Sequence, residues 1–286
     1  MTEVTAHLSV IMVSYRTGPD LFDAIEACLA EPRVDELIVV NHDNPAEDVE
    51  RLSAHAERET RLTLVHTGAN LGFSRGCNIG AEHASGSHLL FLNPDTMLQP
   101  GAAGALIKTS QGHTEPVIVG ANITDPDGRE QRGGRRGELT LKSAAASLLG
   151  LSNKAGGALH LDRGVLPEGA IEVAAVSGAA LLMTREGFDR LAGFDEAYFL
   201  HVEDLDVCRR ARDAGGLVLF EPRAIVRHVG ATSHTSRFKV EHWKACGLVR
   251  YFNTHGGRLG PLKAFLAAPL IWSALMARAA LLKLKP

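Results

Sequence analysis

Cysteine is scarce. Cys28, Cys77, Cys208 and Cys246 are the four in 286 residues, and no two stand in CxxC spacing. This excludes a disulfide-stapled scaffold and a cysteine zinc site, and fits a reducing compartment. Long apolar runs are missing too. The longest charge-free apolar stretch, Ala264–Ala277, covers 14 residues and contains Pro269, whereas a bilayer-spanning helix takes about 20. Near the start, Met1–His7 is polar and carries Glu3, and the apolar run Leu8–Val13 behind it is short for a signal peptide and lacks a basic flank. No export is expected.

Acids nearly vanish from the last part of the chain. From Arg227 onward a single acid, Glu241, stands against ten Lys or Arg, which leaves 20 bases against 32 acids before it. That asymmetry points the tail at something anionic. Its basic residues are interleaved with aliphatic rather than stacking aromatic side chains, which argues against nucleic acid. The whole chain, 45% hydrophobic and 22% charged, has the make-up of a globular protein with one large core or two fused halves.

The first hundred residues alternate apolar β-rich runs with helical patterns. Strands are expected at Leu8–Ser14, Leu37–Val40, Arg61–His66 and His88–Leu92. Between them, Leu21, Phe22, Ile25, Cys28 and Leu29 recur at helical spacing after the Gly18-Pro19-Asp20 break, Asn44-Pro45-Ala46-Glu47 reads as an N-cap followed by a helix, and residues 73–84 read as helix. Such an order predicts a mostly parallel sheet with helices on both faces, with ligands bound beyond the carboxyl ends of the strands. Further on, the pattern gives a strand at Val117–Ala121, a Gly/Arg-rich loop at Asp125–Gly137 and a helix near Leu139–Leu149. A strand at Ile171–Val176 follows, then helices at Thr184–Leu191 and from Glu203 to Gly215-Gly216. No repeat and no long linker separates independent domains.

Four segments carry chemistry. Asn93-Pro94-Asp95-Thr96 ends a strand, where Asp95 is placed to hold a hard divalent cation; an Asx-type turn is the plainer reading. Asn70-Leu71-Gly72-Phe73-Ser74-Arg75-Gly76-Cys77-Asn78-Ile79-Gly80 brings glycines to a helix start, suited either to a phosphate group near Arg75 or to tight helix-on-sheet packing. Glu203 and Asp204 stand in the first turn of a helix, as dipole partners or as a general base. His228, followed by Gly230 and Ser233, gains a metal-binding meaning only beside another ligand.

Taken in order, Ser14-Tyr15, NLGFSRGCNIG, FLNPDT, SGAALLMTREGF, GFDEAYFLHVEDLDVCRRARDAG and His228 resemble glycosyltransferase family 2 enzymes of GT-A fold, with bacterial rhamnosyltransferase-like members nearest, over roughly residues 8–233. The resemblance implies inverting transfer of a sugar from a dTDP- or UDP-sugar donor to a saccharide or lipid-linked saccharide acceptor. It implies a nucleotide-sugar-binding half at 1–97, an acceptor-binding and catalytic half at 98–226, and a basic, partly amphipathic helical extension at 227–286. Asp95 and His228 match the site of Mg²⁺ or Mn²⁺, and Asp204, beside Glu203, matches the catalytic base. Ser14, Tyr15, Asn41, Asp43, Asn70, Gly72, Arg75, Asn78 and Asn93 match the donor-binding positions. Many relatives have Asp-Asn after the second strand; Val40-Asn41-His42-Asp43 departs from this, leaving open whether Asn41 or Asp43 meets the pyrimidine.

The chemistry suits the residue types, because a divalent cation stabilises the charge growing on a leaving diphosphate and a carboxylate activates a hydroxyl. L-Rhamnose from dTDP-rhamnose is the expected transfer. A UDP-hexose or UDP-N-acetylhexosamine transferase and a non-catalytic nucleotide-sugar-binding scaffold are the competing readings. In the tail, Leu262, Phe265, Leu266, Trp272 and Met276 are expected on one helix face flanked by Lys263, Arg278, Lys283 and Lys285. That face suits an anionic membrane, the catalytic domain or a homodimer contact. The expected location is cytoplasmic, at the inner face of the membrane.

Overall fold

The computed structural model describes residues 6–148, 159–162, 164–230 and 235–283; Leu149, Ser233 and Lys285, named above, lie outside them, as does the side chain of Lys283. In chain order the elements are β1 (Leu8–Ser14), α1 (Asp20–Leu29), β2 (Glu36–Asn41), α2 (Ala46–Arg58), β3 (Leu62–His66), α3 (Phe73–His83), β4 (His88–Leu92) and β5 (Thr96–Leu98). There follow α4 (Ala102–Ser110), β6 (Val117–Thr124), β7 (Arg135–Arg136), α5 (Leu141–Leu148), β8 (Ile171–Glu172), β9 (Ala175–Val176), β10 (Ala180–Thr184), α6 (Arg185–Arg190) and α7 (Glu203–Asp213). Last come β11 (Leu217–His228), α8 (Arg237–His255) and α9 (Gly260–Lys283).

The main sheet runs β3-β2-β1-β4-β10-β6-β11-β5, with β8 paired to β11, and β7 and β9 form a separate ribbon. β3 to β4 are mutually parallel, as are β6 and β11, while β10 enters antiparallel between β4 and β6. All seven residues of β1 are buried, which is why its sequence is a continuous apolar run rather than an alternating one. Alternate side chains serve opposite faces. Ile11 and Val13 join the core with Cys77 of α3, Val207 of α7 and Leu248 of α8, whereas Leu8, Val10 and Met12 join Phe22 of α1, Leu52 of α2 and Leu106 of α4.

Three local expectations change. The Asn44 N-cap does not form: α2 starts at Ala46 with no side-chain cap, and the Asn44 amide instead donates to Ser14 Oγ (2.9 Å) and Asn41 Oδ1 (2.7 Å), cross-linking the ends of β1 and β2. A buried amide surrounded by acceptors has more to satisfy there than at a solvent-facing helix end. The strand expected over Ile171–Val176 is two pieces, because β8 pairs with β11 and β9 with β7. In α9, the five apolar residues expected on one face divide. Trp272 and Met276 pack against the core, while Leu262, Phe265 and Leu266 are exposed.

The α3 glycines also divide by role. A Cβ on Gly76 would stand 2.6 Å from Val13 Cγ1, and one on Gly80 would run into Ile11, so both let α3 lie tightly on β1. Gly72 is different. Its φ of 88° favours glycine, and a Cβ there would stand 2.7 Å from the Phe199 carbonyl oxygen.

Candidate active site

The carboxyl ends of β1 and β4 open into a cavity of about 540 Å³, a size that suits a nucleotide-scale ligand. Tyr15, Asn70, Gly72, Asn93, Asp95 and His228 line it, joined by His42, Phe199, His201 and Trp243. Asp95 and His228 meet because of a strand register. β11 skips Pro222-Arg223-Ala224 in its pairing with β6, and beyond that bulge it pairs antiparallel with β5, so that His228 stands opposite Thr96. His228 Nε2 is 3.2 Å from Asp95 Oδ1. The turn is closed by Thr96 Oγ1, which donates to the Asn93 carbonyl (2.6 Å), and Asn93 N–H donates to Ala179 O (2.9 Å).

Gln131 sets the imidazole. Its Nε2 donates to the His228 carbonyl (2.7 Å) and its Oε1 faces His228 Nδ1 (3.0 Å), so Nδ1 carries a proton and Nε2 is turned to the carboxylate. A neutral imidazole would thus point a lone pair at Asp95, an arrangement that a cation between them satisfies. Among the described residues no cluster of three or more His, Cys, Asp or Glu forms. The donor set fits a hard divalent ion that draws its remaining ligands from phosphate oxygens and water.

Glu203 and Asp204 open α7 directly after two residues with left-handed backbone, His201 (φ 68°) and Val202 (φ 75°). A β-branched residue there is strained, and the loop is held by neighbours. Phe199 O accepts the Phe73 N–H at 2.7 Å, and Gly247 of α8 leaves room for Val202. Neither Glu203 nor Asp204 is among the residues that line the cavity, although Leu200 and His201 just before them are. Asp204 is buried and gripped through two contacts by Arg136 of β7, while Gly178 N–H (3.1 Å) and Leu205 N–H (2.8 Å) also donate to it. Burial pushes its carboxyl upward, but the Arg136 guanidinium and these donors outweigh that and hold it below the usual carboxylate range. Glu203 has the opposite fate. Burial and the Asp204 charge push it up to about 8, so it keeps its proton at neutral pH.

Other residues expected at the donor site are structural supports. Asn41 Oδ1 accepts both the backbone N–H and the side-chain amide of Asn44, and its Nδ2 meets His66 Nδ1 at 2.9 Å, so Asn41 has no acceptor left for a base N–H. Ser14 is buried against Thr17 and Asn44. Asn78 is turned from the cavity and holds both the N–H and the carbonyl of Phe194 at 2.9 Å. Asp43 pairs with Arg16 (2.9 Å) in a neighbouring groove, and exposed Arg75 lies 3.7 Å from Glu196. His42 is the polar side chain of the second-strand loop that reaches the cavity. Burial lowers its pKa, and its ring nitrogens are held by Thr67 Oγ1 (2.6 Å) and the Gly72 carbonyl (3.2 Å), so it too is fixed by the framework.

Sequence reasoning missed Arg136, Gln131, Phe199 and Trp243, and within the Asn41–Asp43 loop it named the flanking residues rather than His42. The Arg135-Arg136 pair inside a glycine-rich loop was the visible signal for the first. Trp243 packs on Phe199 with centroids 4.5 Å apart, and the two rings form an aromatic part of the cavity wall.

The sequence profile of glycosyl transferase family 2 matches residues 9–157. Along 290 aligned residues the chain is 30% identical to an N-acetylglucosaminyl-diphospho-decaprenol L-rhamnosyltransferase of Mycobacterium tuberculosis, covering 96% of this chain and 90% of the relative. The chain belongs to glycosyl transferase family 2. Solved structures agree on the fold. GalNAc-T7 with UDP, GalNAc and Mn²⁺ superposes with TM-score 0.65 at 16% identity over 88% of this chain, which spans about half (48%) of that longer protein. The mannosyltransferase PcManGT from Pyrobaculum calidifontis, in complex with GDP-Man and Mn²⁺, superposes with TM-score 0.60 at 16% identity, covering 98% of this chain and 76% of that one. The family 2 chain therefore has a GT-A fold, a mostly parallel sheet with a helical C-terminal extension, and is similar to a bacterial rhamnosyltransferase along nearly its whole length.

Proposed function

We propose that this family 2 glycosyltransferase moves a sugar, with inversion at C1, from a nucleotide diphosphate donor to a hydroxyl of a lipid-linked saccharide at the inner face of the cytoplasmic membrane. The meeting of Asp95 and His228 in one cavity with the Asn93 turn carries the reading. Asp95 and His228 would hold Mg²⁺ or Mn²⁺, whose charge stabilises the leaving diphosphate. Tyr15 and Asn70 are our candidates for the nucleotide and Phe199 with Trp243 for the acceptor sugar, all of them lining the one cavity. The M. tuberculosis relative's name favours L-rhamnose as the sugar and a polyprenyl-diphosphate saccharide as the acceptor.

Single displacement needs one base and no covalent intermediate. Asp204, the ionised member of the carboxyl pair, is our assignment for the base; it is buried, is not among the residues that line the cavity and is bonded to Arg136, so an acceptor hydroxyl reaches it only by displacing one Arg136 N–H. The proton passes to Asp204 as the new C1–O bond forms and the bond from C1 to the diphosphate breaks. Protonated Glu203 adds no second negative charge beside it.

Thermal shift with dTDP against UDP, each with Mn²⁺, distinguishes a dTDP-sugar from a UDP-hexose donor. Asp204→Asn is expected to keep donor-induced stabilisation and to lose transfer by about 10²-fold or more. Full transfer in that variant removes Asp204 as the base.

A further inference from the structure

α9 is apolar on two opposite sides. Ala264, Ile271, Leu275 and Ala279 form a buried stripe. The helix runs antiparallel to α8, since Arg278 reaches Glu241 (2.8 Å) and Trp272 meets His242 edge-on. About half a turn away around the helix, Leu262 (53% exposed), Phe265 (76%), Leu266 (64%) and Leu270 (73%) form a second stripe, extended by Leu259 before the helix and Leu281 near its end. A contiguous strip of large apolar side chains on a soluble protein marks a surface that something covers.

Charge selects the occupant. Glu241, the one acid after residue 226, is buried and already accepts from Arg278, whereas Lys239, Arg258 and Lys263 are exposed around the hairpin of α8 and α9. A second copy would bring the same cations face to face. An anionic lipid surface neutralises them and receives the apolar strip.

Orientation follows from what α9 is fastened to. Gly257–Leu281 is long enough to cross a bilayer and holds an 18-residue window of mean hydropathy 1.6. Its inner stripe, however, is packed on α8, whose His255 bonds buried Asp206 (2.8 Å) and whose Arg250 bonds Asp195 (2.7 Å) of the catalytic domain. Crossing would drag those polar groups into hydrocarbon. We infer that α9 lies in the plane of an anionic bilayer interface, with Leu262, Phe265, Leu266 and Leu270 in the acyl boundary and Arg258 and Lys263 at the headgroups. Thr235, Val240, Glu241 and Trp243, on and beside α8, line the active-site cavity. Docking through α9 therefore brings that cavity close to the membrane. The surface itself follows from α9; its use in catalysis rests on the lipid-linked acceptor proposed above.

Vesicle flotation of the full chain tests it, using phosphatidylglycerol-rich against pure phosphatidylcholine vesicles and a Phe265→Glu/Leu266→Glu variant. The wild type is expected to float at least tenfold better with the anionic vesicles and to be released by high salt. The variant is expected to stay in solution with unchanged thermal unfolding and donor hydrolysis. Equal flotation of both proteins, no flotation of the wild type, or a vesicle-free dimer that the variant dissolves would each overturn the inference. Flotation without transfer to any lipid-linked acceptor would instead count against the acceptor reading and leave the surface standing.

Discussion

Replacing Arg136 by methionine keeps most of the side-chain volume and removes the cation that faces Asp204. In the wild type the pair is nearly closed to solvent, with side chains 13% and 10% exposed. Breaking one partner of such a buried pair costs about 3–5 kcal/mol. At roughly 2–4 °C per kcal/mol for a chain of this size, unfolding is expected about 10 °C lower at pH 7. The cost depends on pH in a defined direction. With Arg136 present, the folded Asp204 pKa is depressed, so its contribution to stability is present above the unfolded value of 3.8 and is lost as pH falls through the lower folded value. Without Arg136, burial is opposed only by the N–H donors from Gly178 and Leu205, and the pKa rises. The stability gap between the two proteins should therefore narrow as pH falls toward 4. The acidic limb of kcat/KM should move to higher pH, because Asp204 loses the cation that holds it ionised. Transfer rates from pH 5 to 9, with thermal unfolding at the same pH values, measure both effects. Arg136→Lys, which keeps the charge without the fork, should fall between them. An acidic limb that stays in place in Arg136→Met would refute the claim that Arg136 keeps Asp204 ionised.

Two further outcomes follow from neighbouring groups. Because the folded Glu203 pKa is raised to about 8, its contribution to stability is complete below 4.5 and is lost as pH rises through 8. The wild-type unfolding temperature should accordingly decline between pH 6 and 9, whereas the Glu203→Gln curve should be flatter; parallel curves would contradict the assignment. Trp243→Ala removes the aromatic wall stacked on Phe199 and should raise the acceptor KM about tenfold, equivalent to about 1.4 kcal/mol of binding, with donor affinity unaffected. A weakened donor with an unchanged acceptor KM would assign that wall to the donor instead.

The first half of the fold was legible because each strand from β1 to β4 is a short apolar run bounded by a turn or helix signal. The β10 and β11 pairings were not. Ala180–Thr184 continues a small-residue loop without a break, and Leu217–His228 contains Pro222 and three charged residues that suit a bulged strand only once its neighbours are known. The Asp95 turn and the Glu203-Asp204 pair were visible as motifs. The capture of Asn41, Ser14 and Asn78 by the framework was not, because an amide's partners are set by which strands end beside it.

From the order of its residues alone, the chain fixed an α/β sheet, the mouth at which a ligand binds, the carboxyl groups worth testing and a tail poor in acid. These are local or compositional properties, carried by periodicity, turn chemistry and charge. Only folding brought His228 opposite Thr96, set Arg136 on Asp204 and divided α9 into a packed side and a bare one. Each of those depends on strand register or on the angle at which one helix meets another. Register and packing angle are settled by contacts between residues far apart in the chain, which no window of sequence contains.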